Sequence, residues 1–384
     1  MRFPLSRPTL GEKESENVRE AMASGWISGT GSYVGAFERS LEQLTGRAYA
    51  TAVSSGTTAL EIALSALEIC AGDEVIVPAL TFAAPAAAVL TVGAAPVLCD
   101  ISPGNWTIDP AAAQALMTPR TKAVIAVDLM GHPCDYDRLA ELGVPVIEDA
   151  AQAHGARTAK GPAGGFGIAS IFSFHVNKAI TCGEGGAVLT DDPELAERVG
   201  LLAHHGMSTD RRYHHSMAGR NGRMTNLSAA VGAAQAERWD ELVAGRLQVA
   251  QRYRARLAGQ GLSPRPAEPW ASPSCWLYCV TTQARDVVVE HARRDGVDAR
   301  AIWPALSDLP FYRRYVPRHC DHASEVSRTA MWLPTWAHMS SEETTGVTDS
   351  LLRFREPGLR AGPTDPRAPP VPPPSPGRPE AAGR

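Results

Sequence analysis

Short apolar runs alternate with amphipathic stretches through the first half of the chain, and this alternation is the strongest structural signal it carries. The apolar runs predict strands over 74–77, 96–100, 123–127, 144–148, 170–174 and 187–190. Helical spacing predicts helices over 82–91, 110–117 and 135–142 between them, with another over 192–203. Strands buried on both faces and separated by helices make a mainly parallel sheet, so the fold class is α/β. Before this region, Leu10, Val18 and Met22 and then Val34, Phe37 and Leu41 mark two helices joined by the Gly-rich turn 24–31. After it, residues 204–224 form a polar loop rich in His and Arg. Leu227, Val231, Ala234, Leu242, Val249 and Tyr253 then predict one long helix over 226–257. Such a helix commonly bridges two domains. The expected organisation is a large domain over 1–240, a smaller α/β domain over 241–355, and a tail over 356–384. That tail carries ten prolines and few apolar residues, too few to offset the entropy of ordering, so it is expected to be disordered.

Composition narrows the partners. A net charge of −4 leaves no electrostatic footprint for nucleic acid. Residues 75–99 contain no charge and approach the length of a membrane span, but Pro78, Pro85, Gly93 and Pro96 interrupt them. Seven scattered cysteines and an N-terminus without an apolar signal core predict a reduced, cytoplasmic protein. His204, His205, His214 and His215 lack carboxylates or cysteines at ligand spacing, so no metal site is expected.

Three stretches carry candidate chemistry. The strand over 170–174 delivers Ser173 and then Lys178 into a turn closed by Gly183, Gly185 and Gly186. A lysine between a buried strand and a glycine-rich turn is placed to lose its charge and bond a carbonyl cofactor; the plainer reading is a surface lysine after a strand. Ser54-Ser55-Gly56-Thr57-Thr58 opens a helix, which leaves free N–H groups and hydroxyls aimed at an anion, or is an ordinary N-cap. Asp149 follows a strand directly and needs a cationic or hydrogen-bonding partner unless it caps a helix. Gln152 and His154 follow it, with water-facing polarity as their plainer reading. A phosphate cradle, a strand-end acid, a hydroxyl and a lysine together match what pyridoxal 5'-phosphate requires.

Taken in order, these motifs resemble the DegT/StrS-type sugar aminotransferases, which are pyridoxal phosphate enzymes of the aspartate aminotransferase-like fold type I. The resemblance runs from Phe3 to Phe354. It includes Ser24-Gly25-Trp26-Ile27, Gly72-Asp73-Glu74-Val75-Ile76-Val77-Pro78 and Glu148-Asp149-Ala150-Ala151-Gln152-Ala153-His154-Gly155, and is densest at Phe172-Ser173-Phe174-His175 with Lys178 and Gly183-Glu184-Gly185-Gly186. The resemblance implies Lys178 as Schiff-base lysine and proton shuttle, Asp149 at the pyridine nitrogen and Gln152 on the ring-hydroxyl side. Phe82 would stack on the ring, and Gly56, Thr57 and Ser173 would hold the phosphate. Asn221 and Arg223 would reach the neighbouring subunit's site in a homodimer. The implied reaction moves an amino group from an amino acid, L-glutamate by family habit, to a keto-sugar, as in amino-sugar or antibiotic biosynthesis. Arg211, Arg212 or Arg220 would meet the diphosphate of a nucleotide-linked sugar. A free cyclitol ketone is the alternative acceptor, and a non-enzymatic regulator retaining the fold is a further reading. The family's dehydratase branch has His in place of the lysine, so Lys178 argues against it. The chain departs from its relatives in lacking a proline before Lys178, in Thr225-Asn226-Leu227-Ser228, and in Ser307 where His is common.

Overall fold

The computed structural model describes residues 1–208 and 210–353; the expected tail over 356–384 lies outside the described residues. Seven strands build the large sheet: β1 (Tyr49–Val53), β2 (Glu74–Pro78), β3 (Ala95–Cys99), β4 (Thr121–Val127), β5 (Val146–Asp149), β6 (Ala169–Ser173) and β7 (Gly186–Thr190). Their spatial order is β1-β7-β6-β5-β4-β2-β3. The run from β6 through β5, β4 and β2 to β3 is parallel, while β7 runs antiparallel to both β6 and β1. All residues of β2 and β7 are buried, as a sheet covered on both faces requires.

Alternate strand residues face two helical layers. Val75, Val77, Ile125, Val127 and Ile171 pack with the helices Gly56–Ala66, Ala84–Thr91 and Pro193–Ala203. On the opposite face Ile76, Val124 and Ala126 meet Ala113 and Leu139, while Phe172 and Leu189 meet Phe37, Leu41 and Ala233.

The six expected strands are all present, with ends displaced by at most two residues. β1 had no expectation, because Tyr-Ala-Thr-Ala-Val is neither continuously apolar nor cleanly alternating. It is an edge strand, and its outward Ala50 and Ala52 amides donate to the carboxylates of Glu42 (3.1 Å) and Glu38 (2.9 Å). Those contacts stop the edge from templating further pairing. The single long helix expected over 226–257 is two helices, Asn226–Glu237 and Trp239–Leu257. At the joint Arg238 leaves helical geometry (φ −103°, ψ 15°) while its guanidinium ties Glu14 to Glu241. Apolar spacing continues through the joint, so periodicity alone does not reveal it.

The helix Trp239–Leu257 leads to a four-stranded antiparallel sheet in the order 263–264, 278–281, 330–333 and 300–301. Val280, Met331 and Leu333 from this sheet pack with Val288 and Ala292, with Val347 and Leu351, and with Val249 and Tyr253 of the long helix.

Candidate active site

One edge of the large sheet gathers the chemistry. Val53 at the end of β1, Gly186 at the start of β7 and Ser173 at the end of β6 lie in register across three strands. The segment leaving β1 therefore opens the helix Gly56–Ala66 directly against Ser173: a Cβ on Gly56 would stand 2.8 Å from the Ser173 Cβ. Gly186 is as tightly placed, since its own Cβ would fall 2.6 Å from the Gly56 nitrogen. Ser55 caps the helix, its Oγ accepting from the Thr58 amide at 3.1 Å and its carbonyl from Ala59 at 2.9 Å. Among the described residues the amides of Gly56 and Thr57 have no acceptor, so two donors and the positive end of the helix dipole converge beside the Ser173 hydroxyl.

β5 ends at Asp149, which is buried. Its Oδ1 accepts the Ala151 amide at 3.1 Å, and among the described residues its other oxygen takes no donor. Burial pushes its carboxyl up to about 6, against the pull of the Ala151 bond and the charge of Lys178. Among the described residues it makes no ion pair, so it is open to a cationic partner from outside the protein. Gln152 is buried with its Oε1 accepting the Met130 amide at 2.9 Å, which leaves its NH₂ group as a donor. His154 is buried too, stacked on Phe172 at 5.0 Å between ring centroids and flanked by Phe174 and Trp239. Neither Gln152 nor His154 faces water; the strand-end turn folds under the sheet and carries both inward.

Lys178 is partly buried, whereas the other three lysines, Lys13, Lys122 and Lys160, are exposed. Its Nζ sits 4.3 Å from the centroid of the Trp276 ring and makes no ion pair. Burial pushes the amine down to about 8; Asp149 opposes that shift and Arg246 adds to it. Trp276, Trp303 and Trp332 form one aromatic cluster, with Trp303 5.6 Å from the exposed ring of Phe82. Phe82, on the loop after β2, thus has an open face for a flat ligand.

Asn221 and Arg223 lie elsewhere in this chain. Their segment runs along the edge of β1, with the Ser54 amide donating to the Gly222 carbonyl at 2.8 Å. Asn221 is exposed; Arg223 packs against Gly29 with its Nε lacking an acceptor, and neither bonds Lys178 or Asp149. Of the three arginines considered for a diphosphate, Arg220 is engaged by Glu61 and reaches Ser65 Oγ at 3.4 Å. Arg211 and Arg212 remain exposed. Among the described residues no group of three or more His, Cys, Asp or Glu side chains is placed to hold a metal.

Two contributors escaped the sequence reading. Arg246 is buried in the apolar stripe of its helix, between Leu242 and Val249, and a polar residue inside such a stripe was a usable signal. Trp276 had no local signal, because only the tertiary fold brings it to Lys178.

The residues present fit the cofactor on structural grounds: free amides at a helix start, a buried acid with an unused oxygen, and one lysine withdrawn from water. An enzyme of the aspartate aminotransferase-like fold type I, using pyridoxal 5'-phosphate to move amino groups, is the class that this sheet and this donor set define. Comparison with known proteins narrows it further. The chain belongs to the DegT/DnrJ/EryC1/StrS aminotransferase family, which matches residues 8–352. It is 37% identical over 363 residues to a GDP-perosamine synthase of Caulobacter vibrioides, covering 91% of this chain and 97% of that protein. The putative sugar aminotransferase Spr1654 of Streptococcus pneumoniae, in its PMP form, superposes with a TM-score of 0.87 at 26% identity, covering 91% of this chain and 98% of the other. DesV of S. venezuelae superposes with a TM-score of 0.84 at 34% identity, over 88% of this chain and 93% of its own. Among the described residues no helix is long and apolar enough to cross a membrane.

Proposed function

We propose that this aminotransferase carries an amino group from L-glutamate to a nucleotide-linked keto-sugar, with Lys178 as the lysine that bonds the cofactor. The acceptor class follows the GDP-perosamine synthases, whose name specifies a GDP-linked amino sugar. The observation that carries the residue roles is the meeting of three strand ends: the free amides of Gly56 and Thr57, the half-satisfied Asp149 and the partly desolvated Lys178 all lie along one edge.

When bound, pyridoxal phosphate supplies an electron-withdrawing ring that stabilises charge developing on the donor's α-carbon. Gly56, Thr57 and Ser173 hold its phosphate. Asp149, oriented by Ala151, keeps a proton at the ring nitrogen, and Gln152 offers its NH₂ group to the ring oxygen. Phe82 covers the ring face. Lys178 Nζ, once free, moves a proton to and from the donor's α-carbon. Its lowered pKa keeps an uncharged fraction ready near neutral pH.

Asn221 and Arg223, exposed or half-open here, complete the site of a second copy, which makes the working unit a homodimer with shared sites. The division proposed is a cofactor-binding domain over 1–240 and a smaller domain over 241–355, of which 241–353 are described.

The visible spectrum of the purified enzyme, read before and after L-glutamate, tests the donor half. A yellow band that bleaches with glutamate, and returns on adding a nucleotide-linked keto-sugar but not a free cyclitol ketone, is the expected result. Return with the cyclitol alone overturns the acceptor assignment.

A further inference from the structure

The guanidinium of Arg246 stands where four chain segments cross. Only 2% exposed, it sits on the helix Trp239–Leu257 in the stripe of Leu242, Val249 and Tyr253. Its Nη2 donates to the carbonyl oxygen of Lys178 at 3.0 Å and to that of Asn177 at 3.4 Å, and reaches Ser6 Oγ at 3.4 Å. Its Nη1 donates to the carbonyl oxygens of Trp276 and Thr335. The Asn177 oxygen also accepts the indole N–H of Trp276 at 3.0 Å, and it is the Trp276 ring that lies under Lys178 Nζ. Four backbone carbonyls and the Ser6 hydroxyl therefore face the charge. Among the described residues no carboxylate pairs with Arg246, and its Nε has no acceptor. A buried charge without a counter-ion costs several kcal/mol, and against that cost stand the carbonyls it satisfies, that of Lys178 among them.

We propose that Arg246 is a positioning residue for Lys178: it ties the lysine's own carbonyl, and the tryptophan beneath its side chain, to the long helix, and sets a fixed positive charge beside the amine. The inference rests on Lys178 being the cofactor-bonding lysine, as proposed above. The ionisable groups acting with Lys178 come from three elements. Asp149 at the end of β5 favours the charged amine, Arg246 on the long helix favours the neutral one, and His154 in the turn after β5 is buried and uncharged. The Trp276 ring face attracts a cation. Among the described residues Arg246 is the fixed charge that opposes Asp149, so it helps decide at what pH the amine becomes a nucleophile.

The test uses the apoenzyme and pyridoxal phosphate itself. Capture is followed by absorbance across pH 6–10, then stopped with borohydride, and the tagged peptide is mapped. In the wild type the tag falls on Lys178. Arg246→Met should slow capture by ~10-fold or more and raise its pH midpoint by roughly one unit, the effect of removing one nearby charge. Arg246→Lys keeps the charge but loses the two-armed grip, so it should slow capture while holding the wild-type midpoint. A folded Arg246→Met with wild-type rate and midpoint overturns the inference, as does an equal midpoint shift in both variants. If Arg246→Met does not fold, Arg246→Lys decides alone: slow capture at the wild-type midpoint supports the inference and a wild-type rate overturns it. A wild-type tag on Lys13, Lys122 or Lys160 instead overturns the assignment of Lys178, and this inference with it.

Discussion

Replacing Gly186 with alanine probes the anion cradle without replacing any residue proposed to contact the cofactor. Gly186 opens β7, with β1 on one side and β6 on the other. Its φ lies outside the left-handed region, so alanine brings no backbone strain of its own. The new methyl carbon would lie 2.6 Å from the Gly56 nitrogen and closer still to the Ser55 carbonyl, whereas ordinary contact begins at 3.4 Å. Both obstacles are backbone, and no side-chain rotation relieves them. The helix start must retreat from β7, and a shift of roughly 1 Å takes an amide from hydrogen-bonding distance to beyond it. Each lost bond to a charged group is worth about 1.5–3 kcal/mol, so affinity for pyridoxal phosphate should fall ~10- to 100-fold. Overpacking should also cost about 1–3 kcal/mol of stability.

Titration of the apoenzyme, followed by absorbance, measures the affinity, and repeating it with pyridoxal lacking the phosphate isolates the cradle. Binding of that unphosphorylated form should hardly change. Gly183→Ala is the control: its Cβ meets nothing within 4 Å, but its φ of +84° makes alanine strained. It should lose stability and keep affinity. Wild-type affinity in Gly186→Ala, or equal affinity losses in both variants, would refute the reasoning.

Further outcomes follow from the same geometry. The apoprotein should gain stability relative to Lys178→Met as pH rises from about 8 to 10.5, because over that window the unfolded chain holds a proton that the folded lysine has released. Asp149, pushed up to about 6, titrates below it; parallel curves in chemical denaturation at each pH would contradict the burial of the amine. Lys178→Ala should fold and show no turnover, and mixing it with a folded but inactive Arg223→Ala should restore measurable activity if the sites are shared between subunits. No recovery after subunit exchange argues against sharing. The double variant Arg211→Ala/Arg212→Ala should raise the KM for a nucleotide-linked acceptor by ~10-fold, the loss expected of one charge-assisted contact, and leave the KM for L-glutamate unchanged. Ending the chain at Phe354 should leave the rate unchanged, since the family match stops at 352; a large loss of rate in that variant assigns the tail a role.

The large sheet was legible because its strands are continuous apolar runs, a composition that fully buried parallel strands impose. Lys178, Asp149 and the Ser-Gly-Thr turn stood out for a related reason: each lies at or just after the end of a strand, where polar groups leave the sheet. Those are local properties, carried by neighbouring residues along the chain. β1 was missed because an edge strand obeys no burial pattern and is held by carboxylates from the preceding helix. The break at Arg238 was missed because one of the two ion pairs that accompany it joins Arg238 to Glu14, more than two hundred positions away. Arg220 read as an open cation until folding set it against Glu61. The same holds for the surroundings of the lysine. Trp276 lies nearly a hundred residues from Lys178, and Arg246 nearly seventy, yet one provides the surface under the amine and the other grips its backbone. Short-range pattern singled out the candidate groups, because the chemistry proposed for them needs particular residue types beside particular elements. How far each is desolvated, what charge stands next to it and what holds it still depend on distant segments packing together, which no local pattern encodes.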